Sequence, residues 1–424
     1  MNKTDLRVLS VFTCFPFPAV SGTQIRIAGI LRLIRQLGCR SHVLYFLNKE
    51  QGAIDRKSPE MSSLCEEVTC AGFRREQSEF KVHELVLHKM DFFIRGAMGI
   101  PGKRYPFSMR YDAVAADRSI LAGAKRVRAD VVLLPPQFVH YADLLIGEGM
   151  KVIADAYDVL SEITSSLVES HRREGWIKRL GLYSNYLACR GQERIFLPRC
   201  SEIWATSRTE AEAFSRIAPN IPVLVVPNCL EEERVRPAPS GSLGRHVGFI
   251  GLYSYQPNLE AAIFLAEKIF PVVLARCPNA RLRLAGGGMP KPVEQRLKIL
   301  PNVDVLGKVP DSGKFMDDCA VLALPMFVRG GVPLKLVEAM ARGKAVVTTS
   351  GMVNGLPVRD GVDLLIRNGA EDFALAVTEL MHSPDGAMRL GENARATFLE
   401  HWSMTAALKT LRQRSILSGL VAGS

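Results

Sequence analysis

The 424-residue chain has no apolar run approaching the ~20 residues that a bilayer-spanning helix requires, so no membrane span is expected. Leu6 to Phe17 is apolar but short and is followed by aromatic–proline steps, so no cleavable signal peptide is expected. Nine cysteines are scattered along the chain without one Cys-x-x-Cys pair, so neither a zinc site nor a redox pair is indicated. A reduced cytoplasmic setting is the expectation. No internal repeat or low-complexity segment occurs, and no nucleic-acid recognition module is visible.

What is present describes a globular protein of two ordinary domains: 47% of residues are hydrophobic and 23% charged. The formal charge is +11, most of it in residues 1–200. That half therefore either suits an anionic partner (a membrane surface, a lipid diphosphate, an anionic glycan) or is basic for solubility alone.

The most informative stretch is Arg329 to Leu356. Ala320 to Leu324 is a continuous apolar run, as in a parallel strand buried on both faces. A loop with Gly330-Gly331 follows Pro325, and Pro333 suits a first helical turn. Leu334, Leu336, Val337, Met340 and Ala341 give a helix with a broad apolar face. Gly343 stands where a C-terminal glycine belongs, and Ala345 to Thr349 begins the next strand. Such a strand–loop–helix–strand unit can present a helix N-terminus to an anion. Glu338 lies mid-helix among apolar neighbours. A carboxylate there either is solvated or has a partner, for which a ribose diol is suited.

The string Lys335 to Leu356 resembles the donor-site motif of retaining glycosyltransferases of the GT-B fold, family four (glycosyl transferases group 1). In outline that motif reads E-G-F-G-L-x-x-x-E-A-M-A-x-G-x-P-V-V. The resemblance implies an α/β fold of two Rossmann-like domains facing each other across a cleft, closing to exclude water. It implies that Glu338 binds the ribose hydroxyls of a nucleotide sugar. The family's first glutamate falls at Gly330, a departure at a position that usually touches the donor sugar. Lys335 lies on the first helical turn, where some branches of the family carry a lysine.

From the N-terminus, Leu6 to Phe12 reads as a first strand, Gln24 to Leu37 as a helix and Ser41 to Leu47 as a second strand. The absence of G-x-G-x-x-G between them excludes a dinucleotide fingerprint. The pattern F-P-x-P-x-x-S-G-x-x-x-R from Phe15 resembles the start of family-four N-terminal domains, making Gly22 and Thr23 candidates beside the donor diphosphate. Glu66 to Val86 is weakly patterned, and Leu87 to Met109 reads as a helix followed by a loop. Asp130 to Leu134 and Lys151 to Asp155 are further strands. Asp155 and Asp158 lie at a strand end, where open α/β sheets hold ligands. They either orient or deprotonate an acceptor hydroxyl, or Asp158 caps the next helix. Ser170 to Arg199 reads as a long helix with seven basic and two acidic residues, either an interfacial helix on anionic lipid or an ordinary surface helix. Pro227-Asn228-Cys229 resembles the family's Pro-Asn-Gly turn before the domain linker.

The expected division is an N-terminal acceptor domain over 1–230, a linker over 231–245, a donor domain over 246–400 and a C-terminal helix over 401–424 crossing back. Val247 to Gly251 opens the donor domain, with a helix from about Leu259. Relatives often place Arg and Lys between these points for the diphosphate; here neither occurs before Asn258. Phosphate charge would be met by Lys335, Arg329 and backbone N–H groups of the Gly330-Gly331 loop. Gly251, Val309, Val332 and Leu334 complete the candidate donor contacts; Gly286 to Gly288 read as a tight turn.

Together these features imply transfer of a sugar, with retention, from a UDP- or GDP-linked donor to a saccharide or lipid-linked hydroxyl acceptor. Lys335, Arg329, Asp155 and Asp158 are the candidate catalytic residues, with no cofactor and no metal required. An anionic membrane surface, at its cytoplasmic face, is a candidate partner, and nucleic acid is not. A catalytically inert GT-B subunit or glycan-binding partner is the alternative, supported by Gly330. A nucleotide-sugar 2-epimerase shares the fold, but no matching constellation is seen.

Overall fold

The computed structural model describes residues 5–17, 19, 22–48, 58–74, 94, 113–170, 175–232, 235, 246–327 and 332–422. The chain forms two compact units, Met1–Asn228 with Ala407–Ser424, and Cys229–Ala406.

The first unit holds a seven-stranded parallel sheet in the order β3-β2-β1-β4-β5-β6-β7. Its strands are β1 (Arg7–Phe12), β2 (Arg40–Asn48), β3 (Glu67–Arg74), β4 (Val131–Leu134), β5 (Lys151–Asp155), β6 (Glu202–Ala205) and β7 (Val223–Val225). The central strands are continuous apolar runs because helices cover both sheet faces; all four residues of β4 are buried. Strand order reverses between β1 and β4, so the crevice for a ligand lies at the C-terminal ends of these strands. Helix Gly22–Gln36 follows β1 and begins two residues earlier than its apolar spacing suggested.

The second unit repeats the plan with six parallel strands, β10-β9-β8-β11-β12-β13. These are β8 (His246–Ile250), β9 (Arg281–Ala285), β10 (Val303–Gly307), β11 (Cys319–Leu324), β12 (Ala345–Thr348) and β13 (Leu365–Ile366). Its reversal lies between β8 and β11. Helix Leu334–Ala341 connects β11 to β12 and buries Leu336, Val337, Ala339, Met340 and Ala341 against the sheet. Gly343 has φ 65°, the left-handed turn that ends this helix.

Several expectations are corrected. The weakly patterned segment after Glu66 contains β3, paired in parallel with β2. The helix expected from Leu259 starts at Gln256, since Pro257 is tolerated in a first turn. The last strand, β13, is only the two residues Leu365–Ile366, because Gly361 at φ 74° opens a turn before it. The long basic helix is Trp176–Phe196, preceded by a separate helix, Leu160–Ser170. The expected helix within 87–109 lies almost wholly outside the described residues, as does most of 231–245.

The end of the chain is fastened within the first unit by a buried carboxylate. Glu202 accepts hydrogen bonds from Ser415 Oγ (2.7 Å), Ile416 N (2.8 Å) and Trp204 Nε1 (2.5 Å). None of the nine cysteines forms a disulfide, and no helix among the described residues is long and apolar enough to cross a membrane.

Candidate functional site

In the second unit the candidate residues collect at the C-terminal edge of the sheet. Gly251 follows β8, and a Cβ there would lie 2.8 Å from Lys335 Nζ and 2.9 Å from the Asn258 amide. Glycine at 251 thus leaves the room that the lysine occupies. Gly286, at φ 135°, packs its Cα against the Gly251 carbonyl, and any side chain there would overlap that oxygen. The glycine run is a tight turn that keeps β8 and β9 close at this edge, with Tyr253 N bonded to Gly287 O at 2.8 Å.

Lys335 is half-buried. Its Nζ donates to Asn258 Oδ1 (2.6 Å), lies 3.4 Å from Met326 Sδ and stands 4.6 Å from the Phe249 ring centroid. Burial lowers its pKa to about 7. The ammonium is accordingly poised between charged and neutral, with no carboxylate beside it among the described residues. Asn258, 6% exposed, holds it in place while its own Nδ2 is bonded to Leu252 O at 2.9 Å. Sequence reasoning passed over Asn258. The Pro-Asn step was visible, but a contact 77 residues distant was not.

Glu338, one turn further along, points to the loop after β10. Its Oε1 accepts from Ser312 Oγ at 3.1 Å and lies 3.6 Å from Arg342 Nε. Burial raises its pKa, opposed by Arg342 and the serine. Arg342 is itself engaged with Asp317 at 3.0 Å, so Glu338 is not fully neutralised. Gly313 gives the guanidinium its place, since a Cβ there would collide with it. Asp311 caps helix Ser312–Asp317 through Gly313 N (2.8 Å) and Lys314 N (3.1 Å), fixing the loop that carries Val309.

Val332 is buried, and Leu334 is half-buried at the first position of its helix. Arg329, Gly330 and Gly331 lie outside the described residues. The chain leading to them is pinned by Thr349 Oγ1, which donates to Met326 O, and by the close approach of Gly351 to Phe327 O.

In the first unit Asp155 closes β5 and is 3% exposed. Arg26 binds its Oδ1 through both Nε (2.9 Å) and Nη2. The guanidinium also donates from Nη1 to Val226 O (2.8 Å) and Asn228 Oδ1 (3.2 Å), tying β5 to the chain after β7. Burial raises the Asp155 pKa and Arg26 opposes it. Asp155 thus positions Arg26, while Asp158 is half-buried with an open face. Burial, and then the neighbouring Glu210, push Asp158 up to about 6. Glu210 belongs to a capping box at helix Arg208–Ile217: Ser207 Oγ accepts from its N–H at 3.2 Å, and Thr206 donates to its carboxylate. Gly22 and Thr23 are exposed on the first turn of helix Gly22–Gln36. Arg26 was missed as a functional residue, although it is the arginine that ends the F-P-x-P-x-x-S-G-x-x-x-R pattern. Among the described residues no group of His, Cys, Asp and Glu is arranged to hold a metal ion.

Residues 244–383 match the family model of glycosyl transferases group 1. An uncharacterised 44.6 kDa protein of the cps region of Klebsiella pneumoniae is 24% identical over 164 residues, covering 37% of this chain and 42% of that protein. The chain thus spans under half the length of that curated relative. The UDP complex of Anabaena Alr3699/HepE superposes with a TM-score of 0.62 at 15% identity, over 96% of this chain and 99% of that one. Sucrose-phosphate synthase (tll1590) of Thermosynechococcus elongatus gives 0.65 at 14% identity, over 99% and 100%. At such identities the structures speak for the fold, which is GT-B. The resemblance to group 1 glycosyltransferases is borne out as well, its family match lying in the second unit around Lys335 and Glu338.

Proposed function

We propose that the chain is a glycosyltransferase that moves a sugar, with retention, from a nucleoside diphosphate sugar to a hydroxyl of a glycan or lipid-linked saccharide. The observation that carries this reading is the pairing of Lys335 and Glu338 one helical turn apart, inside the segment that matches the group 1 family. A nucleoside diphosphate presents a diol and an anion in sequence. Glu338 suits the ribose diol, and Lys335 with the first N–H groups of its helix suits the diphosphate. The Anabaena protein has been seen with UDP and with UDP-glucose, which supports such a donor on this fold.

In the step itself the bond from the sugar C1 to the phosphate oxygen breaks and the acceptor oxygen bonds C1 on the same face. The acceptor's proton passes to the departing phosphate oxygen. Charge developing on that oxygen is met by the Lys335 ammonium, with Arg329 and the Gly330-Gly331 loop as further candidates. Asp158, with its open face at the end of β5, accepts a hydrogen bond from the acceptor hydroxyl, and Asp155 acts through Arg26. Gly22, Thr23, Gly251, Val309, Val332 and Leu334 remain the proposed backbone and packing contacts to the donor; no metal takes part.

Trp176 (74% exposed), Leu180 (49%) and Tyr183 (46%) recur at helical spacing on Trp176–Phe196, supporting contact with an anionic membrane surface. Vesicle flotation tests this: Trp176→Ser should reduce recovery with anionic vesicles, and equal recovery counts against it.

For the activity, the protein is incubated without added metal with UDP-glucose or GDP-mannose and a mixture of free mono- and oligosaccharides, with water as the default acceptor hydroxyl, and nucleotide release is followed. Release of one nucleotide, lost in Lys335→Met, is expected. Release of neither would favour the second reading, a catalytically inert GT-B subunit, which Gly330 at the family's glutamate position supports.

A further inference from the structure

Three helices of the first unit, Leu160–Ser170, Trp176–Phe196 and Arg208–Ile217, flank an open cavity of about 630 Å³ that the donor-site reading does not use. It falls within the ~300–1,000 Å³ typical of pockets that enclose drug-sized ligands. Arg190, Arg194 and Arg216 line it, with Tyr186, Glu162 and Glu193. Arg190 reaches the Tyr186 hydroxyl at 3.3 Å and stands 5.9 Å from its ring centroid. Arg194 has no ion pair among the described residues. Arg216 meets Glu162 only at 4.0 Å, both side chains being well exposed. The positive charge here is therefore largely uncommitted.

Glu193 differs from the arginines. It is 3% exposed; its Oε1 accepts from Ser161 N at 3.2 Å, and its Oε2 is buried without a partner. Burial pushes its pKa up to about 7. Hydrogen bonds from Ser161 and the Leu160 backbone oppose that rise, and the carboxyl lines the cavity wall, where a small rotation would offer it to a ligand hydroxyl.

Guanidinium groups select planar or tetrahedral oxyanions, whereas Glu193 asks for a hydroxyl. A bare inorganic anion would fill little of the cavity and would face two carboxyl groups. A sugar carrying carboxylate or phosphate supplies both kinds of partner. We propose that this cavity binds an acidic saccharide, with Arg190, Arg194 and Arg216 on its oxyanions and Glu193 on a hydroxyl. The cavity is lined by residues of the first unit, whereas Lys335 and Glu338 belong to the second.

The test is calorimetric titration of the full chain with an oligogalacturonate hexamer, glucose 1-phosphate, maltohexaose and pyrophosphate. Saturable binding of at least one of the two acidic sugars is expected, and the one that binds identifies the oxyanion. Maltohexaose and pyrophosphate should bind at least about tenfold more weakly. The Arg190→Ala/Arg194→Ala double variant changes exposed side chains and should keep its melting temperature while weakening the acidic sugar about tenfold or more. Glu193→Gln, nearly isosteric, should weaken it also. Binding of neither acidic sugar overturns the proposal, as does unchanged affinity in the arginine variant. Equal affinity for pyrophosphate would make this a general anion site and would also overturn it. So would an arginine variant that loses anionic vesicles but keeps the acidic sugar, since that marks a lipid surface as the partner.

Discussion

Binding of UDP or GDP should weaken as pH rises through the neutral range, and Lys335 is the reason. Its pKa is lowered to about 7 in the free protein because burial disfavours the ammonium. A diphosphate binds the charged form, so each site that has lost its proton must recover one before the contact forms. Affinity therefore holds below about pH 7 and falls by up to about tenfold per pH unit above it. The fall levels off once the neutral amine binds instead. A charge-assisted hydrogen bond is worth about 1.5–3 kcal/mol, which sets the full span between pH 7 and 9 at roughly ten- to a hundredfold. Titration calorimetry of the binding nucleotide across that range gives the curve. Lys335→Met keeps an unbranched side chain, one atom shorter and without the charge, and should give a flat, weak profile. Phosphate ionisation is essentially complete above pH 7 and adds no slope of that sign. A flat profile in the native protein, or the same slope in Lys335→Met, would refute the assignment of Lys335 to the diphosphate.

Further outcomes follow from buried groups. Asp155→Asn leaves the Arg26 guanidinium buried without its carboxylate and should destabilise the first unit by about 3–5 kcal/mol, measured as a lowered denaturation midpoint; an unchanged midpoint would contradict the pair. Glu202→Ala removes the acceptor of three hydrogen bonds. It should cost about 2–4 kcal/mol, and limited proteolysis should then release the chain end beyond Ala407 before other segments. Gly286→Ala forces a side chain toward the Gly251 carbonyl at a positive φ. It should lower the melting temperature and weaken nucleotide binding together, because the edge that seats Lys335 shifts; a binding-neutral variant would separate the two.

The βαβ unit around Lys335 was legible because its signals are local. An apolar strand, a proline at the helix start, buried helical spacing and a glycine at φ 65° all lie within thirty residues. Strand β3 was missed because Glu67–Arg74 mixes charged, small and apolar residues and shows no continuous apolar run. Pairing to β2 on one side supplies what the pattern lacks. The partners of the site residues were also hidden. Arg26 and Asp155 are 129 positions apart, and Asn258 and Lys335 are 77 apart. Such pairs are set by sheet order and by which strand ends meet at the switch point, which no local pattern reports. For the same reason Asp155 and Asp158 looked alike in sequence, and only burial divides one into a buried ion pair and leaves the other with an open face.

Calorimetric titration with UDP and with GDP, in the absence of metal, on the native protein and on Glu338→Ala tests the donor site most directly. One nucleotide should bind at micromolar Kd, and the variant should lose that affinity at least about tenfold through the missing ribose contacts. Binding of neither nucleotide, or equal binding by the variant, would contradict a donor site built on Lys335 and Glu338.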